Sequence, residues 1–180
     1  QQRALASRGP AATTARAEAN RVTATRRRTQ VRAEARAQVA ELSESELFVA
    51  GVVAYWAEGC KNKPWRFGQG TVFINSDPGL ITLFLRWLAL MRIEAERLQF
   101  RLMIHESADV PDALAYWSRV VGVAPEFFGK TQLKKHNPKT VRRNVGEDYH
   151  GCLVIYVRRS ADLTLQIAGW CEGLTALCQR

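Results

Sequence analysis

Cysteine pairs at metal-ligand spacing are absent from this sequence of 180 residues. The four cysteines, at positions 60, 152, 171 and 178, form no C-x-x-C pair and no Cys/His ligand pattern, so a structural zinc site is not indicated. They are scattered and mostly flanked by apolar residues, which is typical of reduced thiols in the cytoplasm. We therefore expect a cytoplasmic protein, associated with the nucleoid if its source is a prokaryote.

Membrane and nucleotide-binding signals are absent as well. No apolar run is long enough to span a bilayer, the start shows no signal-peptide pattern, and no Gly-rich phosphate loop occurs. The three histidines lie on separate predicted elements, with no spacing that suits a nucleophile, a base and an acid. The sequence opens with Gln1 rather than Met, inside a predicted helix, so we expect it to be trimmed at its start.

Acidic residues are nearly absent from the first 40 residues, which hold nine Arg against Glu18 and Glu34 and so carry +7 of the net charge of +9. The segment is rich in Ala and poor in large apolar residues, which predicts a basic helix from about residue 15 to residue 40. Arginines neutralise phosphate, so Arg26, Arg27 and Arg28 are predicted phosphate contacts; a solvated helix or tail is the alternative. We separate an arm, 1–41, from a domain, 42–180.

The best-specified helix of the domain runs from residue 43 to residue 59. Ser43 and Glu46 form a capping box, an apolar run continues to Glu58, and Gly59 is predicted to end the helix in the left-handed conformation. Gly51 and Ala54 share a face with Glu58, so this face is small and ends in a carboxylate. It predicts close packing against another helix, and an ordinary core helix with a solvated Glu58 is the alternative.

Two motifs resemble those of the LAGLIDADG homing-endonuclease fold. In that family a signature helix ends in an acidic residue and Gly, a β-hairpin follows, and its second strand runs into F-x-N-[ST]-[DE] before the next helix. The run GVVAYWAEG resembles the first motif, with Tyr55 and Trp56 in place of Ile-Asp, and FINSD at residues 73–77 fits the second. The resemblance extends from Leu42 to Gly173.

The periodic patterns of the domain predict the order helix–β–β–helix–β–helix–β–β–helix, which is an α+β fold with a mixed or antiparallel sheet. The first hairpin strand is predicted at residues 61–65. The helix predicted from Asp109 to Val121 is extra to the family half-unit, which runs helix, two strands, helix, two strands, helix. An insertion or a rearranged second hairpin is therefore required. In the closing helix, 161–177, Leu163, Leu165, Ile167 and Trp170 are predicted to face inward.

The most basic stretch of the domain, residues 127–145, contains no acid. On a sheet its Lys, Gln, Thr and Arg side chains suit both base edges and phosphates in a major groove, and a solvated loop is the alternative. On the strand before it, Gln99 and Arg101 are predicted to share a face opposite Phe100 and Leu102. The predicted DNA contacts of the domain are Lys61, Lys63, Arg101, Lys130, Gln132, Lys134, Lys135, Lys139, Arg142 and Arg143.

The resemblance also implies an assembly and a chemistry. A chain with one signature helix and no internal repeat forms a two-fold homodimer in that family, which implies an interface at Gly51, Ala54 and Glu58. Two copies of Glu58 would then be catalytic metal ligands for Mg²⁺, whose bound water attacks the scissile phosphate. Lys130 or Lys134 would stabilise the charge of the transition state.

The residues and the resemblance lead to three possible functions, which belong to different classes of protein. The first is a homodimer that binds duplex DNA sequence-specifically without cleaving it, such as a transcriptional regulator, which the replaced signature residues favour. The second is an active Mg²⁺-dependent homing-type endonuclease that uses Glu58. The third is an RNA-binding or structural adaptor.

Overall fold

The computed structural model describes residues 10–39, 41–60, 70–135 and 149–179, and the chain divides into two compact units, Gln1–Leu42 and Ser43–Arg180. The first unit holds one helix, α1 (Pro10–Gln38). The side chains described along it are exposed, because a sequence of Ala, Arg and Thr gives the helix no apolar face to bury. None of the helices in the described part of the chain combines the length and the apolar composition that a membrane crossing requires.

The described residues of the second unit form four further α-helices, two short 3-10 helices (Ala95–Arg97 and Pro125–Phe127) and a four-stranded sheet. In chain order the α-helices and strands are α2 (Glu44–Glu58), β1 (Val72–Asn75), α3 (Pro78–Leu90), β2 (Leu98–His105), α4 (Val110–Val121), β3 (Gly129–Lys134), β4 (Cys152–Val157) and α5 (Ala161–Cys178). The strands lie in the order β1-β4-β2-β3, with β4 antiparallel to both of its neighbours and β3 parallel to β2. The predicted α+β class with a mixed sheet is confirmed. The strand predicted at residues 61–65 lies outside the described residues.

Side chains next to the helix starts explain where the helices begin. In the predicted capping box the backbone N–H of Ser43 donates to Glu46 Oε2 at 2.8 Å, and the N–H of Glu46 donates to Ser43 Oγ at 3.3 Å. Asp77 accepts from the N–H groups of Gly79 and Leu80 at the start of α3. Each cap satisfies backbone donors that the helix itself leaves unpaired, so these boundaries are set locally.

Gly59 ends α2 in a different way from the one predicted. Its φ of −71° and ψ of 156° are extended rather than left-handed, and its N–H donates to Tyr55 O at 2.7 Å. A Cβ at this position would lie 2.5 Å from Tyr55 O and 2.7 Å from the Tyr55 ring, so the close approach to the helix end requires the glycine. The chain passes straight into the sheet, because Gly59 bridges Phe73 and the N–H of Cys60 donates to Val72 O at 3.0 Å.

One hydrophobic core joins the helices to a single face of the sheet. It contains buried residues of α2, α3, α4 and α5 together with those of β1, β2 and β4. Phe100 and Leu102 point into it, as predicted, while Gln99 and Arg101 lie on the other face of β2. The sheet therefore has a core face and a second face, called here the open face, which carries the residues that alternate with the core positions.

Gly51 and Ala54 are buried inside the chain rather than available to a second copy. A Cβ at Gly51 would overlap the indole of Trp87, which is itself fully buried on α3. The small residues of α2 therefore serve the packing of α2 against α3. The dimer interface predicted at Gly51, Ala54 and Glu58 stays a prediction, and the burial of Gly51 and Ala54 does not support their part in it.

The closing helix differs from the prediction at one position. Leu163 and Ile167 belong to the core, but Leu165 is 69% exposed. Two residues advance an α-helix by about 200°, so Leu165 must face away from its buried neighbours on either side.

Replacing Gly51 by Ala should lower the free energy of unfolding by about 1–3 kcal/mol, because the methyl group overpacks a site filled by Trp87. Gly169 provides the matched control, since it lies in α5 with open space where a Cβ would be. Gly169→Ala should raise the stability by about 0.5–1 kcal/mol through helix propensity alone. Urea denaturation of both variants gives the comparison, and equal stabilisation by the two substitutions would show that α2 and α3 are not in close contact.

Candidate nucleic-acid interface

The open face of the sheet collects polar side chains from β2 and β3. Gln132 is in register with Met103 and Lys134 with His105, and residues paired across parallel strands point to the same side. Lys130 is exposed and lies beside the register shift between Arg101 and Met103, where the regular alternation of side chains is interrupted. Gln132 and Lys134 of β3 therefore lie on the same face as Gln99 and Arg101.

The charged residues of the four strands are all basic. None of these strands, which are part of the described chain, contains Asp or Glu. Arg101 and Lys134 lie on the open face at its β2–β3 edge, and the Lys130 and Lys134 side chains are exposed. Basic side chains on strands that contain no acidic residue attract phosphates.

Arg101 is held in one place on this face. Its Cζ lies 4.8 Å from the centre of the Tyr156 ring, and its Nη2 donates to Gln99 Oε1 at 3.3 Å. Gly129, in register with Arg101, leaves the necessary space, since a Cβ there would lie 3.1 Å from Arg101 Cγ. The stacked and hydrogen-bonded guanidinium is thus oriented before any partner binds.

Glu58 lies at the exposed end of α2 and meets the second sequence motif. Asn75 Nδ2 donates to Glu58 Oε2 at 3.3 Å, while Asn75 Oδ1 accepts from the N–H of Asp77 at 2.8 Å. The structure therefore brings the AEG and FINSD runs together. Within the described part of the chain no three His, Cys, Asp or Glu residues are grouped so that they could hold a metal. A Mg²⁺ ion bound by Glu58 would need further ligands, such as the Glu58 carboxylate of a second copy of the chain.

The lysines predicted to act with Glu58 lie elsewhere in the chain. Glu58 is beside β1, at one edge of the sheet, and Lys130 and Lys134 are on β3, at the other edge. Three strand spacings separate β1 from β3, which is about 14 Å. The structure does not assemble Glu58 and either lysine into one catalytic cluster within a chain.

The remaining predicted contacts fall into two groups. Lys135 follows β3 directly and is exposed. Lys61, Lys63, Lys139, Arg142 and Arg143 lie outside the described residues.

Helical geometry changes the expectation for the arm. Consecutive residues of a helix point about 100° apart, so Arg26, Arg27 and Arg28 cannot all face one strand of a nucleic acid. Arg21, Arg28, Arg32 and Arg36 instead fall within one face of α1, and this set can follow a phosphate backbone. The sequence could have shown this set, because these arginines recur at the 3.6-residue period of a helix. The run of three consecutive arginines draws attention away from it.

Tyr156, whose ring lies beside Arg101, is a residue of the candidate interface that the sequence did not predict. The strand CLVIYV has the composition of a fully buried strand, yet Tyr156 alternates with the core residues Ile155 and Val157 and lies on the open face. Its pairing with Gln99 places it beside Arg101. Register between strands distant in sequence determines this contact, and no local pattern reports it.

Comparison of the chain with models of known protein families, with characterised proteins and with solved structures gives no match.

Tyr55 fastens the chain where it leaves α2 next to Glu58. Its hydroxyl donates to Cys60 O at 3.2 Å and accepts from the N–H of Val72 at 3.4 Å. Burial raises the pKa of the Tyr55 phenol above its usual value of 10.0. The unfolded chain therefore loses this proton first as the pH rises.

Tyr55→Phe should cost about 0.5–1.5 kcal/mol of stability at neutral pH, because the variant cannot form the hydrogen bonds of the hydroxyl. Above the usual pKa of 10.0 the wild type should lose stability through ionisation of Tyr55 in the unfolded state, a loss that the variant cannot show. Urea denaturation at pH 7 and at pH values above 10.0 should thus give a difference between the two proteins that narrows with pH. A constant difference would contradict the burial of the neutral phenol.

Proposed function

We propose that this protein is a homodimer of LAGLIDADG-like fold that binds duplex DNA sequence-specifically with the open face of its sheet. The observation that carries the proposal is the distribution of charge on the strands. Their charged side chains are basic, lie outside the hydrophobic core and are concentrated on β2 and β3. Because none of these charged side chains packs in the hydrophobic core, the stability of the core does not explain why they are present on the strands.

The element order supports the LAGLIDADG-like arrangement once α4 and β3 are set aside. What remains is α2, an antiparallel start of a hairpin at Gly59 and β1, then α3, the antiparallel pair β2 and β4, and α5. In this interpretation α4 and β3 are the required insertion. They add a parallel strand at the edge of the sheet, and that strand carries Lys130, Gln132 and Lys134.

The dimensions of the strands at this edge suit a major groove. Adjacent strands lie about 5 Å apart, and the six residues of β3 extend for about 20 Å. The major groove of B-DNA is about 12 Å wide and admits a two-stranded ribbon. Arg101 and Gln132 would face base edges there, and Lys130 and Lys134 would reach phosphates.

A stripe of apolar side chains on α2 supports the homodimer. Val49, Val53 and Trp56 recur at i, i+4 and i+7 and are 42%, 46% and 43% exposed. They face away from Gly51, so the buried side of α2 serves its own chain and the exposed side is available to a second copy. This α2 stripe replaces Gly51 and Ala54 as the proposed interface.

Selection from a random-sequence duplex pool, at two salt concentrations, tests DNA binding. The wild type should enrich a roughly palindromic site. Lys130→Ala/Lys134→Ala should bind that site more weakly, and the slope of log affinity against log salt should fall by about 0.9 for each phosphate that the variant no longer neutralises. Arg86→Ala/Arg119→Ala removes the same charge from the exposed surface of α3 and α4 and is the control, which should retain the wild-type slope. If DNA binding is weakened equally in both double variants, Lys130 and Lys134 contribute only through the net charge of the protein.

The same selection separates the other functions. Cut ends that form only with Mg²⁺, and disappear with Glu58→Gln, would establish the endonuclease function that the contact between Glu58 and Asn75 favours. Preference for structured RNA over every enriched duplex would instead favour the RNA-binding adaptor.

Val53→Glu should convert the homodimer to a monomer, because two charged side chains would meet without a partner in an apolar contact. Leu165→Glu places the same charge on an exposed apolar position of α5 outside the α2 stripe and should leave the dimer intact. Sedimentation velocity measures the state of each variant. A monomeric wild type, or a Val53→Glu dimer, would refute the interface.

A further inference from the structure

We infer that Arg101 is the specificity-determining residue of the open face and that it reads a guanine in the major groove. The inference rests on the proposed function and adds to it one residue and one base. Its starting point is the restraint on the guanidinium, which is stacked on Tyr156 and hydrogen-bonded to Gln99.

The restraint leaves a defined set of donors. Arg101 Nε is buried, with no hydrogen-bond partner among the described residues, so that edge of the guanidinium is turned into the protein surface. One hydrogen of Nη2 is used by Gln99 Oε1. The remaining Nη1 and Nη2 hydrogens form the fork that pairs with two acceptors at once, and guanine presents such a pair, O6 and N7, in the major groove.

The surroundings distinguish Arg101 from the lysines of β3. Lys130 and Lys134 are exposed, and the many rotamers of a free lysine suit contacts with a phosphate at variable distance. Arg101 is half-buried and lies close to the backbone of Gly129, where a Cβ would come within 3.2 Å of its Nε. A guanidinium with a fixed plane loses little entropy on pairing with a base, which favours discrimination over general attraction.

The bulge between β2 and β3 contributes to this arrangement. The parallel register shifts between Arg101 and Met103, at the point where Gly129 lies beside Arg101. Bulges re-aim side chains locally. The segment that adds β3 thus also supplies the space in which the Arg101 side chain lies.

Arg101→Lys tests the inference, because it keeps the charge and removes the fork. Each variant is subjected to the same selection from a random-sequence duplex pool, and its affinity is then measured for the wild-type site and for versions with each guanine replaced. The wild type should discriminate one guanine of each half-site by about 5- to 150-fold, and Arg101→Lys should lose that preference while other positions keep theirs.

Tyr156 and Gln99 provide matched tests of the positioning. Tyr156→Leu removes the stacking surface and should weaken the same guanine preference, whereas Tyr156→Phe retains the ring and should preserve it. Gln99→Ala removes the hydrogen bond that orients Arg101 and should weaken the same guanine preference. If thermal melting shows that the lysine protein does not fold, an unchanged guanine preference of Gln99→Ala would overturn the inference.

The outcomes separate the inference from the proposed function. A wild type that enriches a site, together with an Arg101→Lys protein that prefers the same guanines, would overturn the role of Arg101 alone. Equal weakening on all sequences would make Arg101 a phosphate contact and would also overturn it. A wild type that enriches no duplex sequence would refute the proposed function and this inference with it.

Discussion

The close approach of α2 to α3 at Gly51 is the contact on which the second unit depends. Because Gly51 has no side chain, the indole of Trp87 fills the space against α2. Trp87 continues a column of rings through Phe84 to Phe73 on β1, with centroids 5.6 and 4.2 Å apart. Tyr55 stacks on the same column, so the end of α2 is fixed relative to β1. This is why Glu58 reaches Asn75 and why Gly59 can enter the sheet without an intervening turn.

The open face is graded from apolar to basic across the four strands. Val154 on β4 is fully buried although it lies opposite the core, and its neighbours in register are Ile74 and Arg101. Polar side chains increase from there toward β3, where Lys130 and Lys134 are exposed. The gradient gives the face a direction, because a polyanion is attracted to the basic β2–β3 edge. The proposed groove contact at β2 and β3 follows from this direction.

Local signals in the sequence predicted the helices, the α+β class and most strands, because caps and periodicity act over a few residues. Ser43 and Asp77 cap their helices as their positions indicate. The candidate interface was predicted only in part. Composition and alternation predicted Arg101, Gln132 and the lysines of β3 on strands, but the positions of Tyr156 and Gly129 beside Arg101 depend on register between distant strands. Gly51 was predicted to pack against a second copy of the chain, but it packs against Trp87 of the same chain. A small residue in a helix does not specify which surface approaches it.

The segment made of α4 and β3 links the fold to the proposed recognition. Without it, β2 would be the edge strand, and its backbone groups would be open to pairing with other chains. The parallel strand β3 covers that edge and places Lys130 and Lys134 beyond Arg101. Exposed lysines at an edge also discourage pairing with a further strand, so the same residues protect the new edge and attract phosphate. Arg101 then lies between this basic edge and the aromatic ring of Tyr156. In the proposed complex the lysines attract the DNA, and the oriented Arg101 guanidinium contacts it.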